Sequence, residues 1–399
     1  MTSDCVARLA RDAELDRMKN PRPRVFYIQY YNPAAFPPLI HSASLLAESG
    51  CIVKMLGWTS LNTEAMRIEP TNGISLQLLS YNPPGFRQKL QYLWFIILAI
   101  TKVLSWRPSW VYASDLFSCP IASLLSYLPG VRIIYHEHDH PGVNLSVLPR
   151  LLMRTRKFLS ARAEVVILPN ASRAAAFTKD TGRHGICVWN CPRRSEALPL
   201  EAHDEVLTVY YHGTLNSSRL PTTFLDAVAA EGPHVRLRIT GYETIGSRGY
   251  CDLLRHKAKE LGIEGQLEII GTSPRREVMR FCREADVGIA CIPIGTKDPN
   301  LRSMAGASNK AFDYMACGLA LLVSDIPEWS EMYVQPGYGR SCNPADAKSI
   351  ADALHWFCQN RQRTRQMGEL ARERILSEWN YENQFAPVLH TILGKEGSA

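Results

Sequence analysis

Three short runs in the 399-residue chain carry residue types that could do chemistry; the first two follow apolar stretches and the third precedes one. The first is Tyr135-His-Glu-His-Asp-His140. Open α/β sheets present ligand-binding groups just past the carboxyl ends of their strands, which is where this run falls. Alternating histidines also suggest a metal site or a purely structural role. However, residues i and i+2 beyond a strand end rarely converge on one ion, and no further Cys/His ligand set is visible. Catalysis or substrate contact is therefore the favoured reading, and no metal is expected.

The second run is Tyr211-His-Gly-Thr-Leu-Asn-Ser-Ser-Arg-Leu220, followed by an expected helix over 221–230. Gly213 permits a tight backbone turn close to a ligand, with Thr214 beside it, and the helix N-terminus favours negative charge. Arg219 adds a bidentate phosphate donor. Small polar residues are also common at ordinary strand-to-helix turns. The third run, Ala307-Ser-Asn-Lys-Ala-Phe-Asp-Tyr-Met-Ala-Cys-Gly318, is the most specific. Lys310 and Asp313 are three apart and share a helix face. Lys310 can neutralise a phosphate and Asp313 can accept from a ribose hydroxyl, with Ser308 and Asn309 at the helix start. Packing alone explains this combination poorly.

The elements that must position these runs alternate regularly. Apolar strands are expected at 24–30, 51–56, 110–113, 131–135, 164–168 and 185–189, with a helix over 38–49 closed by Gly50. A second series follows at 207–211, 235–239, 267–270, 287–292 and 320–323. Continuous apolar strands alternating with helices imply parallel sheets covered on both faces. The reading is an α/β protein of two Rossmann-like, doubly wound domains facing across a cleft. Residues 1–23 form a peripheral extension, 24–190 the first, acceptor-side domain and 191–205 a linker. Residues 206–378 form the second, nucleotide-binding domain, and 379–399 a helix packing back on the first.

Composition is that of a soluble globular protein, with 46% hydrophobic and 21% charged residues. The net charge of +7 favours an anionic partner without naming it. The basic residues show no interleaved aromatics, which argues against nucleic acid. Arg150, Arg154, Arg156, Lys157 and Arg162 read as a solvated helix face or an anion-facing surface. Scattered single cysteines and no leader segment fit reduced thiols in the cytoplasm. The apolar stretch from Leu90 to Trp106 is marginal for a membrane span. It is expected as a core helix, with a helix against the inner membrane face as the alternative.

These residues resemble the family-4 retaining glycosyltransferases of the GT-B fold over about 24–393. Asn309-Lys310 through Asp313 to Gly318 is similar to that family's donor-binding helix. Arg219, six residues after Gly213, matches its diphosphate-binding basic residue. Ile134-Tyr-His-Glu-His138-Asp is similar to the strand-end motif whose histidine lines the donor sugar. The loop 271–276, beginning at Gly271, is placed where the base is read. Three departures stand out: the first acid of the family's E-x7-E motif is Ala305, its Gly-Arg pair is Gly213-Thr214, and Asn32-Pro-Ala-Ala-Phe-Pro-Pro38 stands in place of its Gly-Gly loop after the first strand.

The resemblance implies a retaining, metal-independent transfer from a nucleoside diphosphate sugar to a hydroxyl of a glycan or lipid-linked saccharide. His138, Arg219 and Lys310 would be catalytic. Gly213, Thr214, Ser308, Asn309, Asp313 and Gly271 would bind the donor, and no cofactor is needed. A non-catalytic nucleotide-sugar-binding or scaffolding protein and a sugar-nucleotide epimerase are the rival readings.

Overall fold

The structure, a computed structural model, describes residues 22–59, 63, 66–68, 71–141, 147–201 and 206–394. The expected N-terminal extension lies almost wholly outside the described residues, as do 202–205 of the linker and 395–399.

Two parallel sheets organise the chain. The first contains β1 (Arg24–Gln29), β2 (Ile52–Trp58), β3 (Ile74–Leu79), β4 (Trp110–Ser114), β5 (Arg132–His136), β6 (Val165–Leu168) and β7 (Ile186–Cys187). Their spatial order is β3-β2-β1-β4-β5-β6-β7, so the order reverses between β1 and β4. The second contains β8 (Leu207–Leu215), β9 (Val235–Glu243), β10 (Leu267–Gly271), β11 (Val287–Ala290), β12 (Ala320–Ser324) and β13 (Gly339–Cys342). Its order, β10-β9-β8-β11-β12-β13, reverses between β8 and β11. Such reversals open a crevice at the strand ends, and the two crevices face each other.

Helices cover both faces of each sheet because the strands alternate apolar residues to either side. In β1, Val25 and Tyr27 pack against α1 (Pro37–Glu48), while Phe26 and Ile28 face α2 (Phe86–Trp106), α3 (Cys119–Leu125) and α4 (Val147–Arg162). Helix α5 (Ala171–Thr181) starts on the capping side chain of Asn170, whose Oδ1 accepts from the Arg173 amide at 2.8 Å. In the second half, α6 (Thr223–Ala230) and α7 (Tyr250–Glu260) cover one face. Helices α8 (Arg275–Arg283) and α9 (Asn309–Ala316) cover the other. Helices α10 (Ala347–Gln359) and α11 (Arg361–Ser377) complete that half. Finally α12 (Tyr381–Leu393) crosses over and buries Tyr381, Phe385, Val388 and Ile392 against α1 and the first sheet.

Four sequence-based expectations need correction. Strands β3 and β13 were not anticipated. Ile74-Ser-Leu-Gln-Leu-Leu79 alternates rather than running continuously apolar, and β13 has four residues at a sheet edge. Strand β8 runs on through Leu215, so Gly213 and Thr214 belong to its last turns of ladder, opposite Gly241 and Tyr242. Arg156 is not a surface cation: it is 1% exposed and paired with Glu137 and Asp180. Helix α2 is not a core helix, since it buries only Phe95, Ala99 and Val103.

Some glycines are demanded by packing. A Cβ on Gly288 of β11 would stand 2.1 Å from the Tyr314 ring, whose hydroxyl accepts from the His212 amide at 3.1 Å. Gly288→Ala should therefore push α9 off the sheet. We expect a loss of about 2 kcal/mol or more in urea denaturation, the size typical of overpacking. Unchanged stability would show that Tyr314 can move aside.

Candidate active site

A cavity of about 280 Å³ lies between the two sets of strand ends. From the first half it is lined by the loop after β1, residues 34–38, and by His138, Asp139 and Arg173. From the second half it is lined by the ends of β8 and β9, by Arg219, Thr272, Ser273 and Arg275, and by the start of α9. Of the site residues read from the sequence, His138, Arg219, Lys310, Gly213, Thr214, Ser308, Asn309 and Asp313 all line it. Gly271 does not: it ends β10 at φ +88°, and the next two residues, Thr272 and Ser273, face the cavity instead.

Gly213 is required by its backbone and also makes room for Lys310. Its φ is +109°, and a Cβ there would meet Lys310 Cε and Nζ at 3.1 Å. The lysine end is thus laid against the backbone of β8, over the Tyr211 ring at 5.4 Å. Burial lowers the Lys310 pKa to about 7, with the nearby Arg219 charge adding to the effect and Asp313 only partly opposing it. Among the described residues neither Lys310 nor Arg219 has a carboxylate within 4.0 Å, so two cations face the cavity without a balancing anion. Ser308 and Asn309 bring the amino end of α9 to the same place, where peptide dipoles also favour negative charge.

Asp313 corrects the sequence reading. It does not stand open for a ribose hydroxyl, because it is 1% exposed and both of its oxygens accept from Arg275, at 2.8 and 3.1 Å. Burial pushes the Asp313 carboxyl up while Arg275 pulls it back. Arg275 also reaches Glu196 in the linker, at 2.5 and 3.1 Å, and Glu196 lies 2.9 Å from His41 of α1. Burial alone would raise Glu196, but the Arg275 and His41 charges outweigh it and hold the carboxyl well below its usual range. Beyond Asp313 the His212 ring stands 3.5 Å away, but burial holds its pKa well below the usual value and it adds no charge. The ionic chain therefore runs from α1 of the first half, through the linker, to α9 of the second.

The His-Glu-His run divides its labour. His136 Nδ1 lies 2.6 Å from the Tyr112 hydroxyl. Glu137 is gripped by Arg156 and accepts from the Tyr135 hydroxyl at 2.7 Å. Only His138 turns to the cavity, beside Phe36, with ring centroids 5.5 Å apart. Burial and the Arg173 charge lower its pKa to about 3, so it is a neutral hydrogen-bonding group at pH 7. Its backbone amide donates to Asp115 Oδ1 at 2.8 Å. Asp115 itself sits at φ +61°, an uncommon conformation for a residue with a side chain, at the end of β4.

Sequence reasoning missed Asp115, Arg173 and Arg275. Arg173, 7% exposed, donates to the His138 carbonyl and to the Asn300 carbonyl at 3.0 Å, joining the two halves behind the histidine. The nearby Asn170 Nδ2 donates across the same seam to Ser303 and Ala305 carbonyls at 2.9 and 2.7 Å. Asn190 Nδ2 donates to the Ala307 carbonyl at 2.8 Å. Arg275 and Arg173 each open or nearly open a helix after a strand, which is the one sequence signal that could have singled them out.

Residues 197–374 match the family model described as glycosyl transferases group 1. No curated protein matches the chain. Among solved structures, the chain is similar to sucrose-phosphate synthase from Thermosynechococcus elongatus, with a TM-score of 0.70 at 16% identity, covering 94% of this chain and all of that one. It is likewise similar to HepE from Anabaena in complex with UDP, with a TM-score of 0.66 at 16% identity over 93% of this chain and all of that one. WaaG, a glycosyltransferase involved in lipopolysaccharide biosynthesis, gives 0.62 at 13% identity, with 93% and 100% coverage. The shared architecture is the GT-B fold, two doubly wound halves across a cleft.

Asp313→Ala is expected to cost about 2–3 kcal/mol in urea denaturation. This falls short of the full cost of orphaning a buried charge, because Glu196 still pairs Arg275. An Asp313→Ala protein as stable as the parent would mean the ion pair carries no structural weight.

Proposed function

We propose that the chain is a retaining, metal-independent glycosyltransferase. It moves a sugar from a nucleoside diphosphate sugar to a hydroxyl of a glycan or a lipid-linked saccharide, as the family-4 enzymes it resembles do. The observation that carries this reading is the pair of uncompensated cations, Lys310 and Arg219, held at the amino end of α9. A diphosphate is the ligand chemistry that satisfies two such cations and a helix terminus together. The group 1 match over 197–374 covers this half of the cavity.

In the reaction, the bond from the anomeric carbon to the phosphate oxygen breaks as the acceptor hydroxyl oxygen bonds to that carbon on the same face. The acceptor proton passes to the departing diphosphate. Negative charge grows on that diphosphate in the transition state, and Lys310, Arg219 and the α9 amides stabilise it there. These groups take the part a metal ion would otherwise play. His138, neutral, hydrogen-bonds the donor sugar; Asp115 and Arg173 hold it in place through its backbone. Asp313 acts on the site through Arg275.

The acceptor belongs in a second cavity of about 520 Å³ that shares Phe36, Asp139 and Tyr242 with the first. Tyr30, Tyr31, Trp58 and Tyr81 line it, a wall of aromatic faces with polar edges suited to a saccharide. The free cysteines among the described residues fit work in the cytoplasm.

A thermal-shift screen in EDTA against UDP, GDP, ADP, CMP and their sugar conjugates tests the reading. UDP sugars come first, since HepE was solved with UDP-glucose. A ligand at one hundred times its dissociation constant adds about 2.7 kcal/mol of stability. A selective rise with one diphosphate supports the transferase. No response to any nucleotide would leave the non-catalytic reading, for which Ala305 and Thr214 would be the lost groups. Lys310→Ala should weaken diphosphate binding by about 1–3 kcal/mol. Equal affinity in that variant would remove α9 from the donor site.

A further inference from the structure

Helix α2 has the composition of a core element and the exposure of a surface one. Phe95, Ala99 and Val103 form its single buried stripe. On the opposite side Phe86, Leu90, Leu93, Trp94, Ile97 and Leu104 are each at least 50% exposed. Its neighbours continue the apolar surface. Leu124 of α3, Tyr127 just after it, and Leu151 and Phe158 of α4 are exposed, and all three helices pack their inner sides on the same sheet face. Contiguous apolar surface of this extent on a soluble domain marks an interaction site.

Charge names the partner. Neither α2, α3 nor α4 contains an acidic residue, whereas Arg87, Lys89, Arg150, Arg154, Lys157 and Arg162 rim the surface and are exposed. Arg162 lies over the Tyr127 ring at 4.3 Å, keeping a cation beside the aromatic edge. In a two-fold dimer through this face the basic rim would meet itself, a like-charge contact that opposes a second copy. We propose that the α2–α3–α4 face docks on an anionic phospholipid bilayer, with its apolar side chains among the acyl chains and its basic rim at the headgroups.

Helix α2 lies along the membrane and does not cross it. At 21 residues it is long and apolar enough to span. However, β3 ends at Leu79 and β4 begins at Trp110, both strands of one sheet, so the connections on either side of the helix are short. Crossing a hydrocarbon core of about 30 Å would tear the helix from that sheet. Gln88, in the first turn of α2, lines the aromatic cavity. Docking therefore brings that cavity to the membrane, where a lipid-linked acceptor would present its saccharide. This last link rests on the transferase reading; the docking itself does not.

Flotation of the full chain with vesicles of phosphatidylcholine alone, or with about one third phosphatidylglycerol, tests the proposal. The parent protein should float with the anionic vesicles at least about tenfold better than with the neutral ones. Leu93→Glu/Ile97→Glu should lose that binding by about tenfold or more while keeping the parent melting temperature. Arg154→Glu/Lys157→Glu should erase the preference for anionic lipid. No flotation of the parent, or equal flotation of the Leu93→Glu/Ile97→Glu variant, overturns the proposal. So does a parent dimer in sedimentation velocity that the same substitution splits without any vesicle binding; the face would then belong to a second copy.

Discussion

A carboxylate one helical turn from a lysine ordinarily neutralises it. Here Arg275 prevents that by taking both oxygens of Asp313, and the rest of the site depends on this diversion. Lys310 is left facing Arg219, its charge opposed by burial and by a like charge. A buried ion pair adds little net stability over well-packed apolar residues, so its retention here is better understood as setting the electrostatics of the cavity. The same guanidinium also grips Glu196, and Glu196 faces His41. The charge arrangement at the α9 start is thus mechanically tied to a helix of the other half of the molecule.

The two halves meet through a seam that is mostly polar. His140 and Asn300 exchange hydrogen bonds at 2.7 and 2.9 Å, and Asn170 and Asn190 donate to main-chain carbonyls of 303–307. At the linker Arg193 pairs with Glu48 of α1 and Glu382 of α12. Directional contacts of this kind fix where His138 stands relative to Lys310 without merging the two cores. Separate cores joined by a polar seam are the arrangement in which domains move as units, and closing such a cleft excludes water from the chemistry.

Much of this was legible in the sequence. Fully buried parallel strands read as unbroken apolar runs, so the central strands of both sheets and the two-domain architecture stand out from composition alone. The edge strands did not, because β3 alternates and β13 is short. Lys310 and Arg219 were found because their types fit phosphate and their spacing fits a strand-helix turn. Arg275, Arg173 and Asp115 were not, because their partners are 23 to 127 positions away and only the fold brings them together. The apolar run at 90–106 was misread for a related reason. Hydrophobicity gives the face of a helix that prefers to leave water, but not whether the protein itself supplies the cover.

The central claim is that Lys310, without a carboxylate partner and with a pKa lowered to about 7, takes on its full positive charge when a diphosphate binds. Calorimetry of UDP binding at pH 8, in EDTA and in buffers of different ionisation enthalpy, tests it most directly. A pKa of about 7 in the free protein means that most Lys310 side chains are neutral at that pH, and the bound diphosphate's negative charge would raise the value. The account therefore predicts uptake of close to one proton per UDP bound, lost in Lys310→Met, with affinity falling as pH rises above 7. Binding with no proton uptake in the parent protein would contradict it.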